Sequence, residues 1–394
     1  MDKGITYVGI DSAKNHNVVA MLLPGRRKEE AVVFQAENTA KGTKRLIKRL
    51  QREAPGQLSV CYEAGPCGYG LQRQFVAAGI PCIVVAPSLV PVKPGERIKT
   101  NRRDAKKLAH HLRAGDLTEV HPPTEAEEAV RDLCRCREDA RQDLTRARHR
   151  LSKLLLRCGV HYGPGRAWTQ KHRVWLRGLT FEHVAQQAVF EDYLRQVEHL
   201  EERLQGLVSR LEEVSQTEPY REPVAWLRCF RGIDTVTAMT IVAELHDFRR
   251  FTSPRPLMSY LGLVPSEHST GDGANRGAIT KAGNTHVRRM LVEASWSYRC
   301  KPAVGVTLRK RRKGQPGWVI AIADRAQERL SRRYWSLVMK GKPHNKAVTA
   351  VARELVGFIW ALLYQRHAAT QEAQEQQPSR PRCRGTKTGQ RRRG

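Results

Sequence analysis

The sequence predicts an α/β domain at the N-terminus, then a long helical coiled-coil stalk, then a mostly α-helical C-terminal region. Short β-rich apolar runs alternate with helical spacing over residues 1–118. Over residues 119–218, apolar side chains recur at alternating intervals of four and three, and helical patterns separated by turns follow to residue 370. Strands that alternate with helices indicate a buried sheet with helices packed on it.

Two acidic residues stand at the ends of predicted strands in the first domain. The run ITYVGI is followed by Asp11, and VVAML forms a second strand after the polar turn KNHN. The strand LSVCYEAG carries Glu63 at its carboxyl end, and the helix GYGLQRQFVAAG and the strand PCIVVAP come next. Because ligands of such sheets gather where strands end, Asp11 and Glu63 are candidates to meet in space.

A basic helix start at 98–115, IKTNRRDAKKLAHHLRAG, adds further polar side chains. Asn101 and Asp104 lie one turn apart and so share a face of this helix. Hard cations prefer oxygen ligands, so carboxylates that converge in a basic protein indicate an Mg²⁺ or Mn²⁺ site. Arg102 and Arg103 between them are predicted to contact nucleic acid. The alternative is that each acid caps a helix or pairs with a neighbouring arginine.

The charge balance indicates a polyanionic partner. The 394 residues include 69 Lys and Arg against 39 Asp and Glu, a formal net charge of +30 with a pI near 10.3. Nucleic acid is the leading candidate. No apolar run approaches the roughly 18 residues of a membrane span, and no signal-peptide core is present, so we expect a cytoplasmic protein without a membrane partner. The nine scattered cysteines are interpreted as reduced thiols.

The two long helical stretches of residues 119–218 leave two arrangements open. They either pair as an antiparallel hairpin or dimerise with another protomer. The first carries an arginine-rich face suited to a phosphate backbone: Arg131, Arg135, Arg141, Arg146, Arg148 and Arg150. Between the stretches, Tyr162, Trp168 and Trp175 are candidates for stacking on unpaired bases, the alternative being packing against the helices.

The C-terminal domain, residues 219–370, begins at the break between Pro219 and Pro223. Its segment 227–245, LRCFRGIDTVTAMTIVAEL, is interpreted as a helix-hairpin-helix that binds phosphate or as a plain helical hairpin. The run LRKRRKGQPG at 308–317 is predicted to be a basic turn, with two helices after it. The basic tail, 371–394, is predicted to be disordered until it meets nucleic acid.

The segment 261–289, LGLVPSEHSTGDGANRGAITKAGNTHVRR, is predicted to be a glycine-bent polar loop that runs into a helix near Asn284. A hydroxyl at Ser269 or Thr270 beside several cations suits attack on a phosphodiester. The cations are Arg276, Lys281, Arg288 and Arg289. The alternative is an ordinary surface loop.

The motifs GIDSAK, YEAG, KTNRRDAKKLA and GLVPSE…KAGN…RR stand in an order that resembles the DEDD transposases of insertion sequences. This group is related to the Piv invertase, and its members are described as RNA-guided recombinases. The resemblance runs from about Tyr7 to Leu363. It implies a RuvC-like, RNase H-fold domain that supplies four acidic residues and a C-terminal domain that supplies a nucleophilic serine.

The resemblance assigns roles to particular residues. Asp11, Glu63 and Asp104 match the first, second and fourth acids, and Asn101 stands at the third, where an amide oxygen can ligate a cation without charge. The nucleophile's position matches Thr270 by register, whereas the less hindered primary hydroxyl favours Ser269. Ser266 is a third choice.

Three functions are therefore open. The first is an insertion-sequence transposase that cleaves and exchanges DNA strands, guided by an element-encoded RNA and acting as a dimer or tetramer. The second is a metal-dependent junction nuclease that cleaves by activated water. The third is a degenerate transposase that only binds nucleic acid.

Overall fold

The chain forms two compact units, Met1–Thr124 and Glu125–Gly394, and each has its own hydrophobic core. The computed structural model describes residues 4–91, 100–163, 165–267, 269, 273 and 275–375, with side chains up to residue 364. The tail was predicted to be disordered from residue 371, but residues 371–375 are helical because the last helix continues to Glu375, and the tail from residue 376 onwards lies outside the described residues.

A mixed six-stranded sheet forms the centre of the first unit. Its strands are β1 (Ile5–Ser12), β2 (His16–Leu22), β3 (Val32–Glu37), β4 (Gln57–Glu63), β5 (Cys82–Val85) and β6 (Glu119–Val120). They lie in the order β3-β2-β1-β4-β5-β6, with β1, β4 and β5 parallel and the other pairings antiparallel. The predicted strands β1, β2, β4 and β5 are confirmed. The edge strands β3 and β6 were not predicted, because β3 is mostly half-exposed and β6 has only two residues.

Helices cover both faces of this sheet. They are α1 (Ala40–Glu53), α2 (Gly70–Ala77) and α3 (Asn101–Ala114). On one face, Leu46 and Leu50 of α1 share a core with Val8 and Ile10 of β1. On the other face, Ala105 and its neighbours in α3 pack against β2. The two helices therefore lie on opposite sides of β1.

A long helical hairpin opens the second unit. It consists of α4 (Glu125–Arg157), α5 (Gln170–Arg177) and α6 (Val184–Val214). Arg148 pairs with Glu201 at 2.6 Å, and Asp143 lies 3.9 Å from Arg203, so the pairing runs antiparallel. The apolar stripes of α4 and α6 are buried against each other within one chain. Of the two predicted arrangements, the intramolecular hairpin is the one present.

The rest of the second unit is mainly helical. Its elements are α7 (Arg221–Leu227), α8 (Thr235–Leu245), α9 (Pro254–Tyr260), the hairpin strands β7 (Pro265–Glu267) and β8 (Arg276–Ile279), α10 (Thr285–Ser295), α11 (Val306–Arg312), α12 (Gly317–Met339) and α13 (His344–Glu375). The helix predicted near Asn284 is confirmed as α10, with Asn284 as its N-cap.

Two predicted boundaries in this unit need correction. Much of the predicted basic turn at 308–317 lies in α11, because Leu308 and Arg312 are buried and hold that segment as a helix. The predicted break between Pro219 and Pro223 ends sooner, since α7 starts at Arg221 and takes Pro223 into its first turn, where proline is tolerated.

The connection between α7 and α8 is held from within the unit. Arg311 donates to the Ile233 carbonyl at 3.0 Å, and Arg312 donates to the Cys229 carbonyl at 3.1 Å. The Asp234 carboxylate caps α8 by accepting from the Thr237 N–H at 2.7 Å. A carboxylate therefore occupies the helix end at which a helix-hairpin-helix would bind phosphate.

One helix requires a correction to the expectation about apolar length. The stretch His344–Tyr364 of α13 is long and apolar enough to cross a membrane by length and composition. Half of the apolar stretch is buried inside the protein, and its Val348, Val351 and Leu355 belong to the core of the second unit. Burial in that core accounts for the apolar composition.

Candidate active site

Asp11 and Glu63 lie side by side on neighbouring strands. The parallel register of β1 and β4 pairs Ile10 with Tyr62, so the two acids are the next residues along. Both side chains are half-buried. Alternate residues of a strand point to the same face, so Asp11 shares the face of Gly9, and Glu63 shares the face of Cys61. Cys61 contacts the Leu108 carbonyl of α3, so this is the face covered by α3.

Helix α3 brings Asp104 towards these two acids. A Cβ at Gly9 would lie 2.2 Å from the Ala105 carbonyl oxygen and 2.8 Å from Leu108 Cβ, so only glycine permits this close approach. Arg113, near the far end of the helix, donates to the Arg26 carbonyl just after β2. Helix α3 therefore runs antiparallel to β1.

The same arrangement fixes the level of Asp104. Asp11 lies two residues beyond Gly9, an advance of about 7 Å along the strand. Asp104 lies one turn before Leu108 and so on its face, an advance of about 6 Å in the same direction. The first turn of α3 thus places Asp104 at the level of the strand ends that carry Asp11 and Glu63.

Asn101, Arg102 and Arg103 occupy the exposed start of the same helix, with Thr100 as its N-cap. Among the described residues, neither guanidinium has an ion-pair partner. Two arginines and a helix N-terminus attract phosphate, and the acids at the ends of β1 and β4 carry the oxygen donors that a hard cation prefers.

Metal ligation needs several such groups within coordination distance. Within the described parts of both units, no group of three His, Cys, Asp or Glu residues is placed to hold a metal ion. Carboxylate and amide oxygens are nevertheless the donors that Mg²⁺ and Mn²⁺ prefer, so the donor types fit while the four-residue ligand set remains a prediction.

In the second unit, Ser269 is engaged by two polar groups. Its hydroxyl donates to Glu267 Oε1 at 2.9 Å and accepts from the Asn275 N–H at 3.2 Å. The Ser269 side chain is exposed, and the residue lies in the segment between β7 and β8. Thr270 lies outside the described residues. The Ser266 hydroxyl donates to the Ala278 carbonyl at 3.2 Å across the hairpin, so it forms a structural hydrogen bond between β7 and β8.

The base of this loop is tightly built. Gly283 has φ +66°, and a Cβ there would lie 1.9 Å from the Tyr260 carbonyl oxygen. Asn284 donates to Glu244 Oε2 at 2.7 Å while capping α10. Arg135 of α4 binds the same carboxylate through two hydrogen bonds of 2.7 and 2.9 Å. The Lys281 N–H also donates to the Gly262 carbonyl at 3.2 Å, so the GLVP and KAGN motifs together anchor the loop that carries Ser269.

Glu244 was not singled out from the sequence. Burial raises the pKa of its carboxyl, but hydrogen bonds from Arg135 and Asn284 outweigh burial and hold that pKa below the ordinary value. Glu267 was also missed. Its nearness to Ser269 in the sequence was the available signal, whereas the partners of Glu244 are distant in sequence.

The four predicted cations of the loop differ in their surroundings. Arg288 donates to the Leu261 and Ala282 carbonyls at 2.8 and 2.7 Å, and Arg289 pairs with Glu138 at 2.5 Å. Both contacts are internal to the unit. Arg276 lies 3.4 Å from Glu267. The side chains of Arg276 and Lys281 are both exposed. Arg276 and Lys281 are the better placed for a phosphate.

The arginine-rich face of α4 is also largely engaged. Its contacts are Arg131 with Glu128, Arg135 with Glu244, Arg141 with Glu138, Arg146 with Asp143, Arg148 with Glu201, and Arg150 with Gln196. Three of these contacts lie within α4 and three reach α6 or α8, and each of them reduces the availability of its arginine to nucleic acid.

The aromatic residues near the tip of the hairpin pack on one another. Tyr162 and Trp175 surround the buried His172, whose Nδ1 accepts from the Trp168 N–H at 3.2 Å. Arg148 lies over the Trp168 ring at 4.9 Å. The packing alternative accounts for these contacts.

Known proteins resemble this chain over most of its length. Residues 225–305 match the family described as Transposase IS116/IS110/IS902, and residues 8–159 match the DEDD transposase family of IS110. A putative transposase of Sinorhizobium fredii is 42% identical over 90% of this chain and 88% of its own length. The transposase for insertion sequence element IS1533 of Leptospira borgpetersenii is 36% identical over 85% and 97%, respectively.

Proposed function

Because the chain belongs to the IS116/IS110/IS902 family of transposases, enzymes that cleave and recombine DNA, we propose that it transposes an insertion sequence through a covalent protein–DNA intermediate. The observation that carries this proposal is that Asp11 and Glu63 end neighbouring strands of the first unit's sheet, on the face covered by the helix that carries Asp104. The matched segment 8–159 includes all three.

The first unit has, in this proposal, a RuvC-like RNase H fold. The support is its sheet, in which an antiparallel β1–β2–β3 meander is extended by the parallel strands β4 and β5. The acids lie where β1 and β4 end, which is where an α/β sheet presents its ligands. Asp11, Glu63, Asn101 and Asp104 would hold Mg²⁺ or Mn²⁺, which supplies charge stabilisation to a phosphoryl group.

The loop of the second unit supplies the nucleophile. The Ser269 or Thr270 oxygen bonds to phosphorus, the deoxyribose oxygen leaves, and the hydroxyl proton passes to a base. Glu267, 2.9 Å from the Ser269 hydroxyl, is placed to accept that proton. Arg276 and Lys281 stabilise the charge that develops on the phosphoryl oxygens.

Target choice in this proposal is delegated to an element-encoded RNA. The support is the resemblance to RNA-guided recombinases, together with the internal engagement of the α7–α8 connection and of the α4 arginines. Exposed cations elsewhere suit backbone contacts, which carry no base sequence. Base pairing with a guide would then supply the sequence specificity.

Exchange of strands between two duplexes requires more than one active centre, so the protein works as a dimer or tetramer. The stripes of α4 and α6 are already buried within one chain, so the contact between protomers uses other surfaces. Exposed Leu156, Val174 and Val184 near the hairpin tip are available. Light scattering of the nucleic-acid complex tests this, and a strictly monomeric complex contradicts it.

Trapping of a protein–DNA adduct on a suicide substrate with the element's ends tests the covalent step. We expect the adduct with the unaltered chain and none with the double variant Ser269→Ala/Thr270→Ala. The single variants identify the nucleophile, because only its removal prevents attack. If the double variant still forms the adduct, the loop only binds DNA, and the junction nuclease becomes the better function. Absence of any adduct from the unaltered chain, with strand cleavage retained, gives the same conclusion.

A further inference from the structure

We propose that Lys41, Lys44 and Lys48 of α1 bind a phosphodiester backbone on the side of the first unit's sheet opposite to the acids. This inference rests on the proposed function and extends it, because it assigns a second nucleic-acid path to the unit that carries the acids.

The three lysines form a stripe along one helix face. At 100° per residue, Lys41, Lys44 and Lys48 fall within an arc of about 60°, and all three are exposed. They extend over seven residues, about 10 Å of helix axis. One strand of duplex DNA presents a phosphate about every 3.4 Å along its axis, so the stripe matches about three phosphates.

These lysines differ from the other cations of α1 in their surroundings. Arg45 pairs with Glu37 at 2.6 Å, and Arg49 and Arg52 pair with Glu53 at 3.0 and 3.1 Å. No ion pair to the three lysines is present among the described residues. Like charges one turn apart repel each other in a free helix. A bound polyanion removes that repulsion, whereas a helix that only needs a solvated surface normally intersperses acids.

The stripe is separate from the candidate active site. Leu46 and Leu50, on the opposite side of α1, pack with Val8 and Ile10 on one face of the sheet. Asp11 shares the other face with Gly9, beneath α3. A backbone on the lysine stripe is therefore not the strand held at the acids. We assign it to a DNA arm outside the cleaved strand, because the length of the stripe matches the phosphate spacing of duplex DNA.

The experiment measures how binding depends on salt. The variant is Lys41→Gln/Lys44→Gln/Lys48→Gln, because glutamine removes the charge and has a similar helix propensity. The control is Lys340→Gln/Lys342→Gln/Lys346→Gln, which removes three exposed lysines of the other unit, two between α12 and α13 and one in the first turn of α13. Association constants of the full-length chain are measured against salt concentration for a short RNA duplex and a short DNA duplex.

We expect the stripe variant to bind more weakly, with the logarithmic salt slope on duplex DNA smaller by about 2 to 3, since each lost phosphate contact removes about 0.9. A change on the DNA duplex, alone or together with RNA, supports the assignment to a DNA arm, whereas a change confined to the RNA duplex contradicts it. The variant Lys41→Arg/Lys44→Arg/Lys48→Arg should retain the slope.

The proposal is overturned if the stripe variant leaves both slopes unchanged or if the control lowers them equally. Either result means that the three lysines of α1 contribute no more to nucleic-acid binding than other exposed lysines do. Because binding is measured without catalysis, a failure here is distinguishable from failure to form the covalent adduct.

Discussion

At the scale of single residues, Asp104 depends on packing for its level along the sheet. It comes from a helix, and α3 lies this close to β1 only because Gly9 has no side chain. Its backbone N–H bonds the Thr100 carbonyl, and Thr100 caps the helix, so the turn does not depend on the Asp104 side chain. A change confined to this carboxylate therefore tests chemistry rather than folding.

We expect Asp104→Asn to slow adduct formation and recombination by about 100-fold or more. The substitution removes one charged oxygen ligand of the divalent cation that would stabilise the charge on the phosphoryl group. Thermal unfolding should remain nearly unchanged. The matched control is Asp116→Asn, which alters an acid just beyond α3 whose carboxylate contacts His111 at 2.9 Å. Full activity of Asp104→Asn, or an equal loss in Asp116→Asn, would show that Asp104 is not part of the catalytic site.

Single residues also show what sequence could and could not predict. Asp11 and Glu63 follow apolar runs, and the strand pattern alone placed them at strand ends. Glu244 lies within an apolar helix, and its role appears only when Arg135 and Asn284 are brought to it from distant segments. Local patterns specify where a strand ends, but they do not specify which distant cation meets a buried acid.

At the scale of elements, the loop that carries Ser269 depends on a rigid base. Gly283 combines a positive φ with a backbone contact that leaves no room for a side chain, and Asn284 begins α10 directly after it. Gly206 offers a contrast, because it lies within α6 with nothing within 4 Å of an added Cβ.

We expect Gly283→Ala to destabilise the second unit by roughly 1 to 3 kcal/mol and to reduce adduct formation, because alanine is strained there and displaces Tyr260. Gly206→Ala should stabilise it by about 0.5 to 1 kcal/mol, because alanine favours the helix. Chemical denaturation of both variants measures the difference. Equal effects of the two substitutions would rule out the tight loop base.

The long helices show a second limit of local patterns. The spacing of apolar residues predicted the helices α4 and α6, and both are present. Of the two arrangements predicted for them, the antiparallel hairpin is observed. The same pattern suggested a free arginine face on α4. Those arginines instead meet acids of α4 itself and of α6 and α8, such as Glu201 and Glu244. An exposed helix face and a face covered by another element have the same sequence pattern when the covering residues are charged.

At the scale of the whole molecule, a net charge of +30 coexists with buried or half-buried acids that pair with arginines inside the second unit. Burial raises the pKa values of Glu138, Glu201 and Glu244, but arginine contacts outweigh it and hold them below the ordinary value of 4.5. Burial lowers the pKa of His172 and His246 below 6.5. All five groups therefore bind protons more readily in the unfolded chain, which makes folding pH-dependent.

The resulting prediction is a loss of stability in acid. For a group whose pKa is lowered by folding, the unfolded state binds more protons, so the free energy of unfolding rises with pH and falls as pH decreases. The two histidines act first, below about pH 6.5, and the three glutamates add to the loss below about pH 4.5. Urea unfolding of the full-length chain at a series of pH values measures this. In His172→Gln the side chain no longer titrates, so the decline between about pH 7 and pH 5.5 should be shallower than in the unaltered chain. If the free energy of unfolding of the unaltered chain stays constant or increases as the pH is lowered from about 7 to 5.5, the prediction is contradicted.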